Sequence, residues 1–320
     1  MPQGRWAGFA LLIANPAAGG RSPELIDAVA AHCAERVSVL DVVRTGYPGH
    51  ASEIAAKAMD ERVDLVISFG GDGTTREVAS GLARAAQARP GLAVPPLLHL
   101  PGGTGNSFYR EVWSDQPWQR TVDAALLADR PSLRRVDLAH IVDADDFALL
   151  GAGSGLIAEA LVTAARIAGE SHGRDRYQQS VALTLRDFAP YPGRVSVDGR
   201  TVHEGTVILA NVGGGRYRGG QFKVLPHSVL DDGLLDVCVI GGELSLRDLP
   251  GLTRDGSHVH RPEVVYARGR SIVLERTDGN PLTFEYDGEL QTGSAQRHTV
   301  EVMPGVLPVL APPAARPGGE

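Results

Sequence analysis

Residues 63–81 constrain this chain more than any other stretch. Val63-Asp64-Leu65-Val66-Ile67-Ser68-Phe69 is a short run rich in branched apolar side chains, ending abruptly in Gly70-Gly71-Asp72-Gly73 before a helical pattern starts. A short apolar run bounded in this way predicts a buried strand. Glycines at its end let the backbone turn sharply and approach a ligand closely. Thr74 or Thr75 is expected to cap the helix, with Glu77 assisting. The exposed N–H groups of such a turn suit a phosphate. Asp72 is the exception, because a carboxylate repels phosphate. It makes sense there if Mg2+ lies between them, or if Asp72 orients an attacking hydroxyl. A tight strand–helix turn with an exposed aspartate is the plainer alternative.

The flanking sequence repeats the theme. Strands are predicted at Phe9–Ala14, Val37–Val43 and Pro95–Leu100, with helical spacing over 23–36, 50–60 and on to about Ala88. Alternating strands and helices imply a parallel sheet, and right-handed crossovers put the loops after its strands on one edge. The turns at 15–20, 70–74 and 101–107, together with Thr45, should therefore cluster where such sheets bind ligands. Several glycine turns on one edge favour a nucleotide-phosphate site. Neither the phosphate loop ending in Gly-Lys-Ser/Thr nor the Gly-x-Gly-x-x-Gly pattern occurs in this half. An ordinary nucleotide triphosphatase or dehydrogenase is disfavoured.

From about Leu133 the pattern changes to strands that follow one another, many alternating apolar and polar residues, as in Thr299-Val300-Glu301-Val302. Such a series reads as an antiparallel sheet or sandwich. Strands are expected at 146–151, 194–198, 206–212, 234–240, 264–267, 271–275, 282–286 and 298–303. Helical spacing interrupts them over 155–188, broken by a polar stretch at 169–176 that reads as a loop. The expected domains are residues 1–136, a nucleotide-binding α/β domain, and 137–303, a β-rich substrate domain. A frayed tail is expected at 311–320.

With 320 residues, 43% apolar and 22% charged, the chain can bury a sizeable core. A net charge of −7 argues against a general nucleic-acid binder. Cys33 and Cys238 lie far apart in apolar runs and read as two buried thiols. No apolar segment reaches the ~18 residues of a membrane span, and no signal peptide is apparent. These features predict a cytoplasmic protein. His99, His172 and His260 lack ligand-spaced partners and read as structural or exposed.

The pieces Asn15-Pro16-Ala17-Ala18-Gly19, Thr45 with Gly49-His50-Ala51, Gly70-Gly71-Asp72-Gly73-Thr74 and Pro101-Gly102-Gly103-Thr104-Gly105-Asn106 resemble, in order and spacing, the diacylglycerol kinase catalytic-domain family. That family includes bacterial lipid kinases, sphingosine kinases and ceramide kinases. The resemblance implies an ATP site built from Asn15, Pro16, Ala17, Ala18, Gly19, Thr45, Gly70, Gly71, Asp72, Gly73, Thr74, Thr104, Gly105 and Asn106. It implies that the last strand, near 304–311, returns to the first domain. Three departures bear on nucleotide preference: Ala18 stands where many members carry serine, Arg76 replaces a common asparagine, and Ser107 a common aspartate.

Three later stretches carry possible chemistry. Asn211-Val212-Gly213-Gly214-Gly215-Arg216-Tyr217-Arg218-Gly219-Gly220 reads equally as a solvated loop or as two arginines for an anionic group. In Pro226-His227-Ser228-Val229-Leu230-Asp231-Asp232-Gly233-Leu234-Leu235-Asp236, spacing alone favours an acidic turn introducing a strand. The resemblance implies a structural Mg2+ at Asp232 with the backbone oxygens of Val229 and Leu234. In Phe284-Glu285-Tyr286-Asp287-Gly288-Glu289, Asp-Gly alone is most often a hairpin turn. Its match to the family's Asp-Gly-Glu motif implies Glu289 as general base with Asp287 nearby, and Asp72 competes for that role.

The leading expectation is an ATP- and Mg2+-dependent lipid kinase. Its acceptor would enter between the domains, with transient peripheral membrane contact through Arg166, Arg174, Arg176, Arg216 and Arg218. Ile157 stands where many members, sphingosine kinases among them, carry an aspartate, which favours a neutral lipid such as diacylglycerol. A NAD kinase and a non-catalytic lipid or nucleotide sensor are the rivals. A homodimer is an open assembly state.

Overall fold

The computed structural model describes residues 6–20, 23–167 and 173–313. The chain divides into two compact units. Residues 1–136 and 306–320 make the first, and residues 137–305 the second.

In the first unit strands and helices alternate: β1 (Phe9–Ala14), α1 (Pro23–Ala34), β2 (Val39–Arg44), α2 (His50–Ala58), β3 (Leu65–Gly70), α3 (Asp72–Ala88), β4 (Leu97–Pro101), α4 (Ser107–Trp113) and α5 (Trp118–Leu126). The strands lie in the order β2-β1-β3-β4, all parallel, with Val309 pairing parallel to Leu97 beyond β4. β3 is buried along its whole length, as a central strand covered by helices on both faces requires. The chain leaves β1 for β2 on one side and returns to β3 on the other. The switch point between β1 and β3 is where the loops of such a sheet diverge and leave a crevice.

α2 presents Ala51, Ala55 and Ala58 inward and lies against α3, where Gly81 permits the approach. A Cβ at Gly81 would collide with the carbonyl of Ser52. Gly81→Ala should therefore push α2 from α3 and cost about 1–3 kcal/mol despite the better helix former. Denaturant unfolding checks this; an unchanged or raised midpoint would contradict the close-packing account.

The second unit opens with β5 (Leu133–Ile141), which begins in the first, followed by β6 (Asp146–Ala148), β7 (Ala152–Gly155), α6 (Leu156–Arg166), α7 (Gly173–Asp187), β8 (Tyr191–Val197), β9 (Arg200–Gly213), β10 (Leu235–Gly241), α8 (Leu249–Asp255), β11 (Val264–Gly269), β12 (Ser271–Arg276), β13 (Phe284–Tyr286), β14 (Glu289–Gln291) and β15 (Arg297–Leu310). Long β9 pairs with β8 through its first half and with β7 and β10 through its second, all antiparallel. One run of strands is thus β14-β13-β7-β9-β10-β11, and another is β9-β8-β12-β15. Between them lies an apolar core that includes Val195, Val212, Val237, Ile272, Phe284 and Val300. The opposite face of β9 and β10 carries a second cluster, with Leu156, Leu209, Val224, Cys238, Ile240 and Leu249.

Several expectations needed correction. α5, α8 and the short strands β7 and β14 were not foreseen, and the strand expected at 146–151 ends at Ala148. Helix α3 begins at Asp72 with Gly71 as its N-cap and no side-chain cap. Thr74 and Thr75 are consequently inside the first turn rather than capping it. Glu77 reaches instead to the N–H groups of Gly49 and Ala51, at 2.9 and 3.2 Å, and caps α2. Of the polar stretch at 169–176, residues 169–172 and the side chains of Arg174 and Asp175 lie outside the described residues, as does 314–320 of the expected tail.

Candidate active site

Four turns meet at the C-terminal edge of the parallel sheet. Asn15 follows β1. Its N–H donates to the Phe69 carbonyl at 2.9 Å, its Nδ2 donates to Thr74 Oγ1 at 3.0 Å, and its Oδ1 accepts from Ala17 N–H at 2.9 Å. One side chain thereby ties the β1 turn to the β3 turn across the switch point. Pro16 and Ala17 are exposed and Ala18 is half-buried. Gly19, at φ 62°, comes so near the β4 turn that a Cβ would lie 2.6 Å from the Gly102 carbonyl. The Gly102 N–H donates to the Gly70 carbonyl at 2.6 Å. A Cβ on Gly102 would fall 2.9 Å from the Gly70 backbone. Backbone on backbone at this range excludes side chains and leaves a floor of peptide groups.

Asn106, at φ 49°, closes the β4 turn. Its amide accepts from the Gly103 N–H and donates to the Gly103 carbonyl, at 2.9 and 2.8 Å. Thr104 is exposed and Gly105 half-buried at the rim. Thr45 sits after β2, where its N–H donates to the Ala14 carbonyl at 2.8 Å. The edge therefore assembles the turns containing Asn15–Gly19, Thr45, Gly70–Thr74 and Thr104–Asn106.

Asp72 is not the exposed aspartate of the plainer reading. Its carboxylate accepts from Ser107 N–H at 2.8 Å and Phe108 N–H at 2.9 Å. Those are orphan donors at the start of α4, and a carboxylate there also suits the helix dipole. Asp72 thus binds the β3 turn to the β4 turn. Behind it, His99 is buried, with Nδ1 2.7 Å from Thr75 Oγ1 and 3.1 Å from Ser68 Oγ. Burial holds that imidazole down at about 3, so it is neutral.

In the second unit the Asp287-Gly288 turn joins β13 to β14 with both residues at positive φ, 47° and 86°. This is the two-residue hairpin geometry that Asp-Gly favours. The Asp287 carboxylate accepts three N–H groups, from Leu149 at 2.5 Å, Leu150 at 2.9 Å and Gly151 at 3.0 Å. Glu289 follows as the first residue of β14 and is exposed. Glu285, two residues before the turn, is 2% exposed, and its Oε2 accepts from Gly288 N–H at 2.9 Å. Burial pushes its carboxyl up to about 7, partly offset by that hydrogen bond and by the charge of Arg218.

The sign of the resulting pH dependence follows. A folded-state value raised above 4.5 gives stability that is full below pH 4.5 and is lost as pH rises through about 7. Glu285→Gln carries no such penalty. The variant should gain on the parent by something on the order of 3 kcal/mol between pH 5 and pH 8. Denaturant titrations of both proteins at the two pH values test this, and a pH-independent difference would contradict it.

One expectation about a charged group is corrected. Arg218 is not a solvated anion binder. It is buried, and its guanidinium donates to the carbonyls of Gly215, Tyr217, Leu150 and Val212 at 3.0–3.3 Å. It is therefore lost to the expected basic patch. Asp232, expected to hold Mg2+ with Val229 and Leu234, ion-pairs with Arg268 and accepts the Leu234 N–H at 3.1 Å. The neighbouring Gly233 N–H goes to Asp137 Oδ2 at 2.7 Å. Among the described residues no three His, Cys, Asp or Glu side chains gather as metal ligands.

Comparison with known proteins assigns the architecture. The diacylglycerol kinase catalytic domain matches residues 9–141, and the YegS C-terminal NAD kinase beta sandwich-like domain matches residues 149–311. The chain belongs to this family. A protein of Stenotrophomonas maltophilia named "Probable lipid kinase YegS-like" is 30% identical over 304 residues, covering 92% of this chain and 93% of its own. One of the same name from Cronobacter sakazakii is 29% identical over 277 residues, covering 86% and 87%. A diacylglycerol kinase structure from Bacillus anthracis aligns with TM-score 0.71 and 22% identity over 96% of this chain and 98% of that one. An NAD kinase from Archaeoglobus fulgidus in complex with ATP aligns with TM-score 0.51 and 12% identity over 95% and 93%. At these identities the two structures speak to the fold alone. This family member is a kinase. Among its described residues no helix is long and apolar enough to cross a membrane.

Proposed function

We propose that this kinase transfers the γ-phosphoryl group of ATP to the hydroxyl of a neutral lipid such as diacylglycerol. The observation that carries the proposal is the match of both family domains, in order, over residues 9–141 and 149–311. The first unit supports it with a floor of glycine peptides at the strand ends, where N–H groups and the start of α3 suit phosphate. Asn15, Thr45, Thr74 and Thr104 give hydroxyl and amide groups around that floor. Asp72 keeps the β3 and β4 turns in register through Ser107 and Phe108. Mg2+, when bound to the nucleotide, would neutralise phosphate charge.

The second unit supplies the acceptor side. An apolar pocket lined by Leu156, Ile157, Leu209, Phe222, Val224 and Leu249 suits the end of a hydrocarbon chain. Glu289, exposed beside the rigid Asp287 turn, is the proposed general base. The acceptor oxygen forms a bond to the γ-phosphorus, and the bond to the β,γ-bridging oxygen breaks. ADP leaves with that electron pair and Glu289 receives the hydroxyl proton. Contact with a membrane surface would be transient, since the lipid must be drawn from one.

The test is ADP release in mixed micelles with diacylglycerol, sphingosine, ceramide or NAD as acceptor. Turnover with diacylglycerol is expected. Turnover with NAD alone would replace this reading by the NAD kinase one.

A further inference from the structure

The face of the second unit's sheet that carries Leu209 and Cys238 also carries a buried polar row. Strand pairing sets Glu285 of β13 opposite Gly153 of β7, and Gly153 opposite Asn211 of β9. Residues directly opposite one another project to the same face. Asn211 and Glu285 therefore flank the one position between them that has no side chain. A Cβ at Gly153 would stand 2.7 Å from Asn211 Nδ2 and 3.4 Å from Glu285 Oε1. The two side chains are 0% and 2% exposed. Yet Asn211 Nδ2, Asn211 Oδ1 and Glu285 Oε1 have no hydrogen-bond partner within the protein.

Three such atoms converging on one notch are costly where an apolar pair would pack without penalty. The cost is recovered if a ligand supplies the missing partners. The surroundings indicate which ligand. Leu209 lies two residues along β9 from Asn211, on the same face, and lines the apolar pocket that also contains Leu156, Phe222 and Val224. The row and the apolar pocket thus share one face of β9, with Arg218 lining the pocket and its charge acting on Glu285.

We propose that Asn211 and Glu285 form a subsite for an ester carbonyl of the lipid acceptor, with the hydrocarbon in the neighbouring pocket. This rests on the lipid-kinase reading and deepens it. The Asn211 amide offers both donor and acceptor, and a protonated Glu285 offers one O–H donor. An ester carbonyl matches the donors of that set. An ammonium group does not, because it would meet the positive charge of Arg218. The pair is specificity-determining and touches the acceptor away from the reacting oxygen.

The experiment is infrared difference spectroscopy of the protonated-carboxyl band while dioctanoylglycerol is titrated into the protein in detergent micelles. A saturable shift is expected, absent from Glu285→Gln. Asn211→Leu should weaken dioctanoylglycerol binding by about tenfold or more, with ATP affinity and thermal midpoint retained. Dodecylamine should leave the band in place. A band unmoved at saturation, an equal response to dodecylamine, or parent-like binding by both variants would overturn the subsite. If Asn211→Leu does not fold, the isosteric Glu285→Gln decides alone. A band shift in a protein that phosphorylates no lipid would overturn the kinase reading and leave the subsite standing.

Discussion

Glu289→Gln is expected to reduce lipid-dependent turnover by roughly 10²–10⁴-fold, the range in which a positioned general base contributes. Glutamine keeps the shape of the side chain and cannot take the hydroxyl proton. Because Glu289 is exposed, the substitution should leave the thermal midpoint and ATP affinity unchanged. The loss should fall on kcat and kcat/KM together, since the interaction belongs to the transition state. A variant that kept parental turnover would remove Glu289 from the proton path. Asp72 would not inherit that role easily, since its carboxylate already serves the N–H groups of Ser107 and Phe108.

Asp287→Ala is expected to have the largest effect on stability. Three N–H groups, from Leu149, Leu150 and Gly151, would lose their acceptor at once. A buried donor left unsatisfied costs about 1–3 kcal/mol, and alanine at φ 47° adds about 1–2 kcal/mol of backbone strain. Part of the first term is regained by water at this half-buried position, so a net loss of about 3–5 kcal/mol is expected. Denaturant unfolding measures it. Asp287→Asn should recover part of the loss, because the amide oxygen still accepts while its NH2 faces a donor. Equal losses in both variants would mean that the turn, not the carboxylate, carries the stability. Because residues 149–151 precede β7, the same substitution should also disturb the proposed acceptor pocket and raise the KM for lipid.

The parallel sheet and its glycine-rich edge were legible in the sequence because local rules dictate them. An apolar run bounded by glycines has few alternatives, and crossover handedness places the loops together. Apolar–polar alternation extended that reading to the antiparallel sandwich. What could not be read was the use to which each charged side chain is put. Asp72 meets Ser107 and Phe108, and Asp287 meets residues well over a hundred positions away. Arg218 sits one residue beyond Tyr217 in a glycine-rich stretch that reads as solvated, but carbonyls of Leu150 and Val212 converge on it. Helix α8, seven residues containing Pro250 and Gly251, is held by packing against its sheet rather than by propensity. The glycines predict Thr74 or Thr75 as the cap, whereas α3 already starts at Asp72 with Gly71 as its N-cap. Glu285 was visible as a lone carboxylate between Phe284 and Tyr286 in an apolar strand, a signal that could have flagged it.

The return of β15 has a consequence for how the protein is made. Residues 306–310 belong to the first unit, where Val309 pairs with Leu97 and the Ala311 N–H donates to the Ser132 carbonyl at 3.0 Å. A ribosome delivers those residues only after the whole second unit. Until then the growing chain carries β4 with an open edge, the kind of surface on which nascent chains pair wrongly. A fragment cut at Val136 would inherit the same exposed edge permanently. A version re-spliced so that residues 306–313 follow Val136 through a short glycine-rich tether would close it.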